Sequence, residues 1–312
     1  MTVDARTVST GLKVEVNQKP IKRRHPSWWL GGAAIALLVL AFLQVLVTNA
    51  NLQWPVVAEY LFAPEILAGL GRTMLLTLLA MIIGLAIGVI IAVMRLSQNP
   101  VFQWVSISWI WFFRGVPPLV QLVLWYNLAL IFPELTFGIP FGPSLMSLDT
   151  NAVITPFSAA ILGLSLTESA YAAEMIRAGI QAVSGGQTEA AASLGMSRGQ
   201  TLRKIVLPQA IRIVIPPIGN DTISMLKFTS LVSVLALPDL LYSAQMIYAR
   251  TYQTIPLLLV ATLWYLLLAT VLTFALSRVE KRLAGKSTSV VNGAGRGWRD
   301  AFRITARKEA SL

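Results

Sequence analysis

Apolar residues in this chain come in long runs rather than in the alternating or one-faced patterns of a soluble fold. Six runs stand out, at about 28–47, 66–94, 104–131, 156–180, 209–237 and 255–276. Each reaches the roughly 20 residues that a helix needs to cross the ~30 Å hydrocarbon core of a bilayer. The pattern therefore predicts an all-α, polytopic membrane protein of about six transmembrane helices. Run one is longer than a secretory signal core and is followed by no convincing small-residue cleavage site, so it reads as an uncleaved span with Trp28 and Trp29 at the interface. In run two, Ala80, Gly84, Gly88 and Ala92 recur every fourth residue, a stripe that lets another helix approach closely. Residues 132–155 form a Pro- and Gly-bearing connection between runs three and four.

The polar stretches between the runs supply the rest of the organisation. Residues 184–208 predict a helix-turn-helix elbow. A short Ala-rich helix opens at Gln187 or Thr188 and is ended by Gly195, and Ser197 starts a second helix with Gln200 as its capping-box partner. An elbow of small residues with one acid and several bases suits a partner's groove.

Charge then sets the orientation. With the N-terminus inside, 21 of the 25 Lys and Arg fall on one side: the arm at 1–27, Arg95, the elbow and the tail from Arg278 onward. By the positive-inside rule the elbow and both termini are cytoplasmic, and Glu59, Glu65, Glu134, Asp149 and Asp239 lie outside. The net charge of +11 follows from this asymmetry and attracts anionic lipid rather than nucleic acid. Hydrophobic residues make up 55% of the chain and charged ones 12%, which excludes an ordinary soluble domain. Cys is absent and His25 is the sole His, so disulfides, thiolate chemistry and His-based metal or proton-transfer sites within the spans are excluded. No nucleophile and base pair is evident, and no catalytic residue is assigned.

Two proline pairs, Pro117-Pro118 and Pro216-Pro217, interrupt runs three and five. Each removes backbone donors, which is tolerable at membrane depth where protein or a water-filled cavity covers the freed carbonyls. The pairs read either as hinges along a translocation path or as kinks relieved by neighbouring helices. Pro216 lies about 8 residues beyond Pro208, roughly 12 Å along a helix, so a tilt of the elbow has a short lever to that point. Ionisable and polar groups at depth mark the candidate path: Arg114, Gln121, Glu168, Glu174, Asn220 and Lys227. A zwitterionic solute needs a cation for its carboxylate, from Arg114 or Lys227, and an acceptor for its ammonium, from Glu168. Pairing of these groups with one another between helices is the structural alternative. Asp221 is placed near Arg212 or Arg177 for neutralisation.

The spacing Glu189-Ala190-Ala191, three residues, Gly195, nine residues, Ile205, one residue, Leu207-Pro208 resembles the cytoplasmic loop of binding-protein-dependent ABC importer permeases. Phe112-Phe113-Arg114-Gly115 with Pro117 and Gln121, Glu174 to Gly179, and Lys227 to Ser233 resemble the polar amino acid branch of that family. Val116, Pro118 and Phe228 depart from its usual residues. The resemblance covers about 69–282 and implies the type I importer permease fold, with a core at 66–282, an additional first helix at 28–48, and basic cytoplasmic ends at 1–27 and 283–312. It also implies a second permease subunit, identical or homologous, two ABC ATPase subunits and an external substrate-binding protein. This chain is then expected to bind no cofactor, with ATP and Mg2+ on the partner ATPases, and to lie in the bacterial inner membrane carrying a polar amino acid. A self-contained secondary transporter or channel is the competing reading, and the internal duplication expected of one is not seen beyond the two proline pairs.

Overall fold

The computed structural model describes residues 26–138 and 144–285. The basic arm and all but the first residues of the tail therefore lie outside the described residues. The chain divides into two units, the first ending at Leu52. Within it, α1 (Pro26–Thr48) is apolar all round and from Leu30 on its side chains are exposed almost throughout, as suits a helix whose solvent is lipid.

The second unit opens with a short helix, α2 (Trp54–Tyr60), and the 33-residue α3 (Pro64–Leu96). Proline in the first turn starts both helices, where its missing N–H costs nothing. Helix α4 (Pro100–Gly115) is capped by Asn99, whose side chain accepts from Val101 N at 2.9 Å. It breaks at Val116, and α5 (Pro118–Tyr126) leaves at 100°. Run three is thus two helices and a corner rather than one continuous span.

Residues 132–155 hold more structure than the expected connection. Strands β1 (Glu134–Gly138) and β2 (Ser144–Asp149) pair antiparallel, with Glu134 opposite Asp149, and Ser147 Oγ donates to Glu134 Oε2 at 2.6 Å. This hairpin is the departure from an all-α fold among the described residues. A four-residue helix, α6 (Thr150–Val153), leads into α7 (Pro156–Gln181), whose start is fixed by a Thr155/Ser158 capping box.

The elbow follows as α8 (Gly185–Ser193) and α9 (Arg198–Thr201), and then α10 (Leu207–Phe228), a 3-10 segment Thr229–Leu235, α11 (Leu240–Thr251) and α12 (Thr254–Gly285). Among the described residues three helices are long and apolar enough to cross a membrane alone, and five if each bent pair is one span. Helix α7, read as the fourth of six spans, is long enough at 26 residues, or about 39 Å. It carries Glu168, Glu174 and Arg177, because most of its surface meets other helices rather than lipid.

The α3–α7 pair is the centre of the unit, and the small-residue stripe is its cause. Ala80 and Ala92 are fully buried. A Cβ on Gly84 would stand 2.5 Å from Glu168 Cβ, and one on Gly88 2.6 Å from Ala172 Cβ. Helix α7 is flanked in turn by α5, where Leu122 fills the space left by Gly163, and by α10, where Val214 fills that left by Gly179. On the far side of α10, Leu276 of α12 lies against Gly219.

This double clamp explains a second difference from expectation. The pair Pro216-Pro217 does not break α10, which runs on as helix to Phe228. The helix runs on across its missing donors, with α7 and α12 packed against it on either side of the pair.

Far from the elbow, α11 is tied to α3 and α12 through Asp239, which is fully buried. Its Oδ1 accepts from Tyr242 N at 2.8 Å and its Oδ2 from Tyr265 Oη at 3.1 Å. Leu240 N donates to Thr73 Oγ1 at 3.0 Å, and Arg72 Nη1 donates to Pro238 O at 2.8 Å. Replacing Asp239 by Ala removes a helix cap and one partner of the Tyr265 hydroxyl, at a cost of about 1 to 2 kcal/mol. The expected result is a lower melting temperature of the detergent-solubilised protein, with a smaller loss for Asp239→Asn, whose Oδ1 still caps α11.

Candidate functional site

The elbow is built by local backbone chemistry. Helix α8 starts two to three residues earlier than expected, at Gly185, with Ser184 in the capping position but making no side-chain cap. Thr188, read as a possible opening residue, sits within the first turn and donates from Oγ1 to Gly185 O at 2.7 Å. The helix ends as the sequence indicates. Gly195 has φ of +74°, Met196 N donates to Ala191 O at 3.0 Å, and Gly195 N to Ala192 O at 2.9 Å, the paired closure of a Schellman turn.

The turn leaves Leu194 82% exposed at the tip, an apolar residue in a polar loop that sequence reasoning passed over. Its signal was present: a leucine immediately before a helix-ending glycine, with no apolar neighbour in sequence to pack on. Ala191 is buried, whereas Glu189 and Ala190 face solvent. The Ser197/Gln200 capping box is formed, with Ser197 N donating to Gln200 Oε1 at 2.9 Å. Between the two arms of the elbow and the end of α7 lies a cleft of about 520 Å³, lined by Ile180, Val183, Ala192, Met196 and Leu202 among others.

From α9 the chain does not pause before the membrane. Residues Leu202–Val206 form one wide π-type turn that continues straight into α10. Pro208 has no N–H, so the carbonyl four residues earlier loses its usual donor, and a widened turn accommodates the ring. Gln209 Nε2 then caps Ile205 O at 2.9 Å. Ile205 is half-buried, and Leu207 and Pro208 are exposed. The second half of the expected loop at 184–208 is therefore a helical segment, α9 and the wide turn, that leads directly into α10.

The candidate path residues separate into three groups. Arg114, Asn220 and Lys227 are exposed. The Arg114 guanidinium lies 5.1 Å from the centre of the Tyr171 ring on α7, a cation–π seat that the sequence pattern did not mark. Asn220 Nδ2 donates to Pro216 O at 3.2 Å.

Glu174 is half-buried and bridged to Arg177 at 2.7 Å, and Arg177 also donates to Gln181 Oε1 at 2.6 Å. Arg177 is thus engaged elsewhere and does not neutralise Asp221. Glu168 and Gln121 are each 1% exposed. Glu168 faces Asp221 on α10, and among the described residues Glu168 Oε1 and Asp221 Oδ2 have no hydrogen-bond partner. Gln121 is occupied at the α4–α5 corner. Its Nε2 lies 3.0 Å from Phe113 O and 2.9 Å from Val116 O, and its Oε1 3.1 Å from Thr167 Oγ1. Among the described residues no group of three or more His, Cys, Asp or Glu stands in a metal-binding arrangement.

A bundle of apolar helices with broken or proline-bearing spans, and one ordered elbow leading into such a span, defines a polytopic membrane protein. The chain belongs to the family described as binding-protein-dependent transport system inner membrane component, whose model matches residues 84–285. It is similar to the arginine transport system permease protein ArgU of Corynebacterium glutamicum, 41% identical over 90% of this chain and 87% of that one. It is also similar to the arginine transport system permease protein ArtQ of Bacillus subtilis, 35% identical over 70% of this chain and 93% of the relative. Among solved structures, a chain of an amino acid ABC transporter crystallised with histidines matches with a TM-score of 0.62 at 37% identity, covering 72% of this chain and 97% of that one. A chain of an inward-facing methionine ABC transporter shares the fold, with a TM-score of 0.51 at 21% identity.

Proposed function

We propose that this chain is the membrane subunit of a bacterial importer for polar amino acids, with basic amino acids first among them. It pairs with a second permease subunit, identical or homologous, receives substrate from an external binding protein, and is driven by two ATPase subunits that hold ATP and Mg2+. Its place is the cytoplasmic membrane, and it carries no catalytic or cofactor-binding role of its own. The observation that carries this reading is the elbow. A Schellman turn presents Leu194 and the Glu189 face on the basic, cytoplasmic side, and the arm beyond that turn runs unbroken into α10. Motion imposed on the elbow therefore reaches the membrane interior through a helix rather than through a loop.

Within the path, Arg114 at the end of α4 is the group suited to a substrate carboxylate, because its guanidinium is exposed and rests over a ring. Two relatives over 30% identical are named for arginine, which supports a basic substrate. The test is uptake into proteoliposomes by the whole complex purified through this chain, supplied with its binding protein and a panel of labelled arginine, histidine, glutamine and leucine. ATP-dependent accumulation of arginine or histidine above leucine is expected. Uptake driven by an ion gradient without ATP would overturn the importer reading, and equal uptake of leucine would overturn the polar substrate class.

A further inference from the structure

We propose that Gln121 is the positioning residue of the path: its side-chain amide turns the break at Pro117-Pro118 into a fixed corner and thereby holds Arg114 where substrate meets it. The proposal rests on the reading of Arg114 as a path residue, and its own evidence is the hydrogen bonding at the corner.

In an unbroken helix the N–H of residue 117 would donate to Phe113 O, and proline has none to give. The break leaves that carbonyl and Val116 O at the end of α4, beneath α5 and α7. Gln121, one turn into α5, supplies what the backbone lacks. Both carbonyls lie within 3.0 Å of its Nε2, which uses the two protons of the amide. The chemistry fixes the amide's orientation, since a flipped group would set its oxygen against two carbonyl oxygens. On the other side its Oε1 faces the Thr167 hydroxyl of α7 at 3.1 Å. One buried amide thus joins the end of α4, the start of α5 and the middle of α7.

Arg114 is held from both ends by this arrangement. Its own backbone is the next residue after Phe113, and its guanidinium rests over Tyr171 of α7. Base and head of the side chain are both referenced to α7, the base through Gln121. The remainder of α4 has an independent tie, Trp109 Nε1 to Ser169 Oγ at 3.0 Å. Loss of the Gln121 amide therefore frees the corner and the last turn of α4, and not the whole helix. The alternative role for Gln121, direct contact with substrate, is disfavoured because both protons of its amide are used inside the protein and it is 1% exposed.

The chain has no cysteine, so two labels can be introduced without removing native thiols. Spin labels at Val101 and Leu130, 63% and 83% exposed, flank the corner. In the full complex the parent is expected to give one narrow distance. Gln121→Leu and Gln121→Glu, which lose the donors, broaden it, while Thr167→Val leaves it narrow because the two carbonyl bonds remain. In uptake assays, Gln121→Glu raises KM for substrate about tenfold, the effect of misaligning one charge-assisted hydrogen bond. The maximal ATP hydrolysis rate stays within about twofold, since no group of the ATPase is touched.

Should Gln121→Leu fail to accumulate, Gln121→Glu keeps the size and carries the same expectation. Narrow distances in both variants overturn the proposal, as does a fall in maximal rate with KM unchanged. If the parent complex itself takes up no amino acid, the importer reading has failed, and the label distances still decide whether Gln121 fixes the corner.

Discussion

Gly195→Val is expected to abolish substrate uptake while the protein still inserts and accumulates in the membrane. Position 195 has φ of +74°, a region that β-branched residues strongly disfavour. A Cβ there would meet nothing within 4 Å, so the penalty is backbone strain and not a clash. That distinction gives the prediction its control. Gly195→Asn, a residue that adopts left-handed backbone at modest cost, retains most of the activity. Valine must shift the turn toward negative φ, which breaks the bonds from Gly195 N and Met196 N and turns Leu194 and Glu189 away from the docking face. Uptake, and ATP hydrolysis stimulated by the liganded binding protein, are both lost, whereas the basal level of membrane-inserted chain is unchanged. Uptake by Gly195→Val at the parent rate would remove the elbow from the coupling mechanism.

Gly84→Val is the substitution expected to cost the fold most. The new Cβ falls 2.5 Å from Glu168 Cβ and Cγ and 3.0 Å from Ser165 O. These atoms belong to the backbone or to the root of a side chain, so no rotamer change relieves the overlap and α3 must separate from α7. Overpacking of this kind costs about 3 kcal/mol or more. For a protein this size that corresponds to a drop of roughly 10 °C in the melting temperature of the purified protein. Gly71→Ala, on the same helix but with open space around it, is expected to be neutral or slightly stabilising. A melting temperature for Gly84→Val equal to that of Gly71→Ala would mean that the α3–α7 contact is not the centre of the unit.

The features that were legible in the sequence are those in which a single residue type has one physical meaning. A glycine after an Ala-rich helix meant a left-handed turn, Ser197 with Gln200 meant a capping box, and small residues every fourth position meant close helix packing. All three are present, the last with α7 as the partner that the sequence did not name. The pair Pro117-Pro118 marked a break, and a 100° corner stands there.

Tertiary context decided the rest. The pair Pro216-Pro217 looked the same in sequence, but α10 continues as helix through it, with α7 and α12 packed close at Gly179 and Gly219. The hairpin at 134–149 was missed because its strands are short and the second, Ser144–Asp149, does not alternate. Gln121 was assigned to the path for its polarity at depth, and no local pattern shows that its amide faces carbonyls eight and five residues earlier. The same limit applies to Arg177. Its nearness to Asp221 was plausible from helix spacing, but Glu174, one turn away on its own helix, holds it.

An alternating-access cycle on this frame needs little internal bending on the cytoplasmic side. The second arm of the elbow, the wide turn Leu202–Val206 and α10 are one helical lever, and α7 is packed to both α3 and α10. Closure of partner ATPases would carry the elbows, and with them α10 and α7, as a body. The ATP-bound partners and the liganded binding protein must favour the outward-facing arrangement differentially, because a ligand indifferent to the two states shifts nothing.

The central claim is that the elbow seats in an ATP-hydrolysing subunit, and cross-linking from its tip tests that most directly. Leu194→Cys places the chain's only thiol on the most exposed apolar residue of the turn. A short photoactivatable cross-linker on that thiol, applied to native membranes, should join this chain to a copurifying protein that binds and hydrolyses ATP. The yield should change when ATP is added to a hydrolysis-deficient complex. Cross-links only to lipid, or to proteins without a nucleotide-binding site, from a complex shown to be intact and active in uptake, would contradict the account.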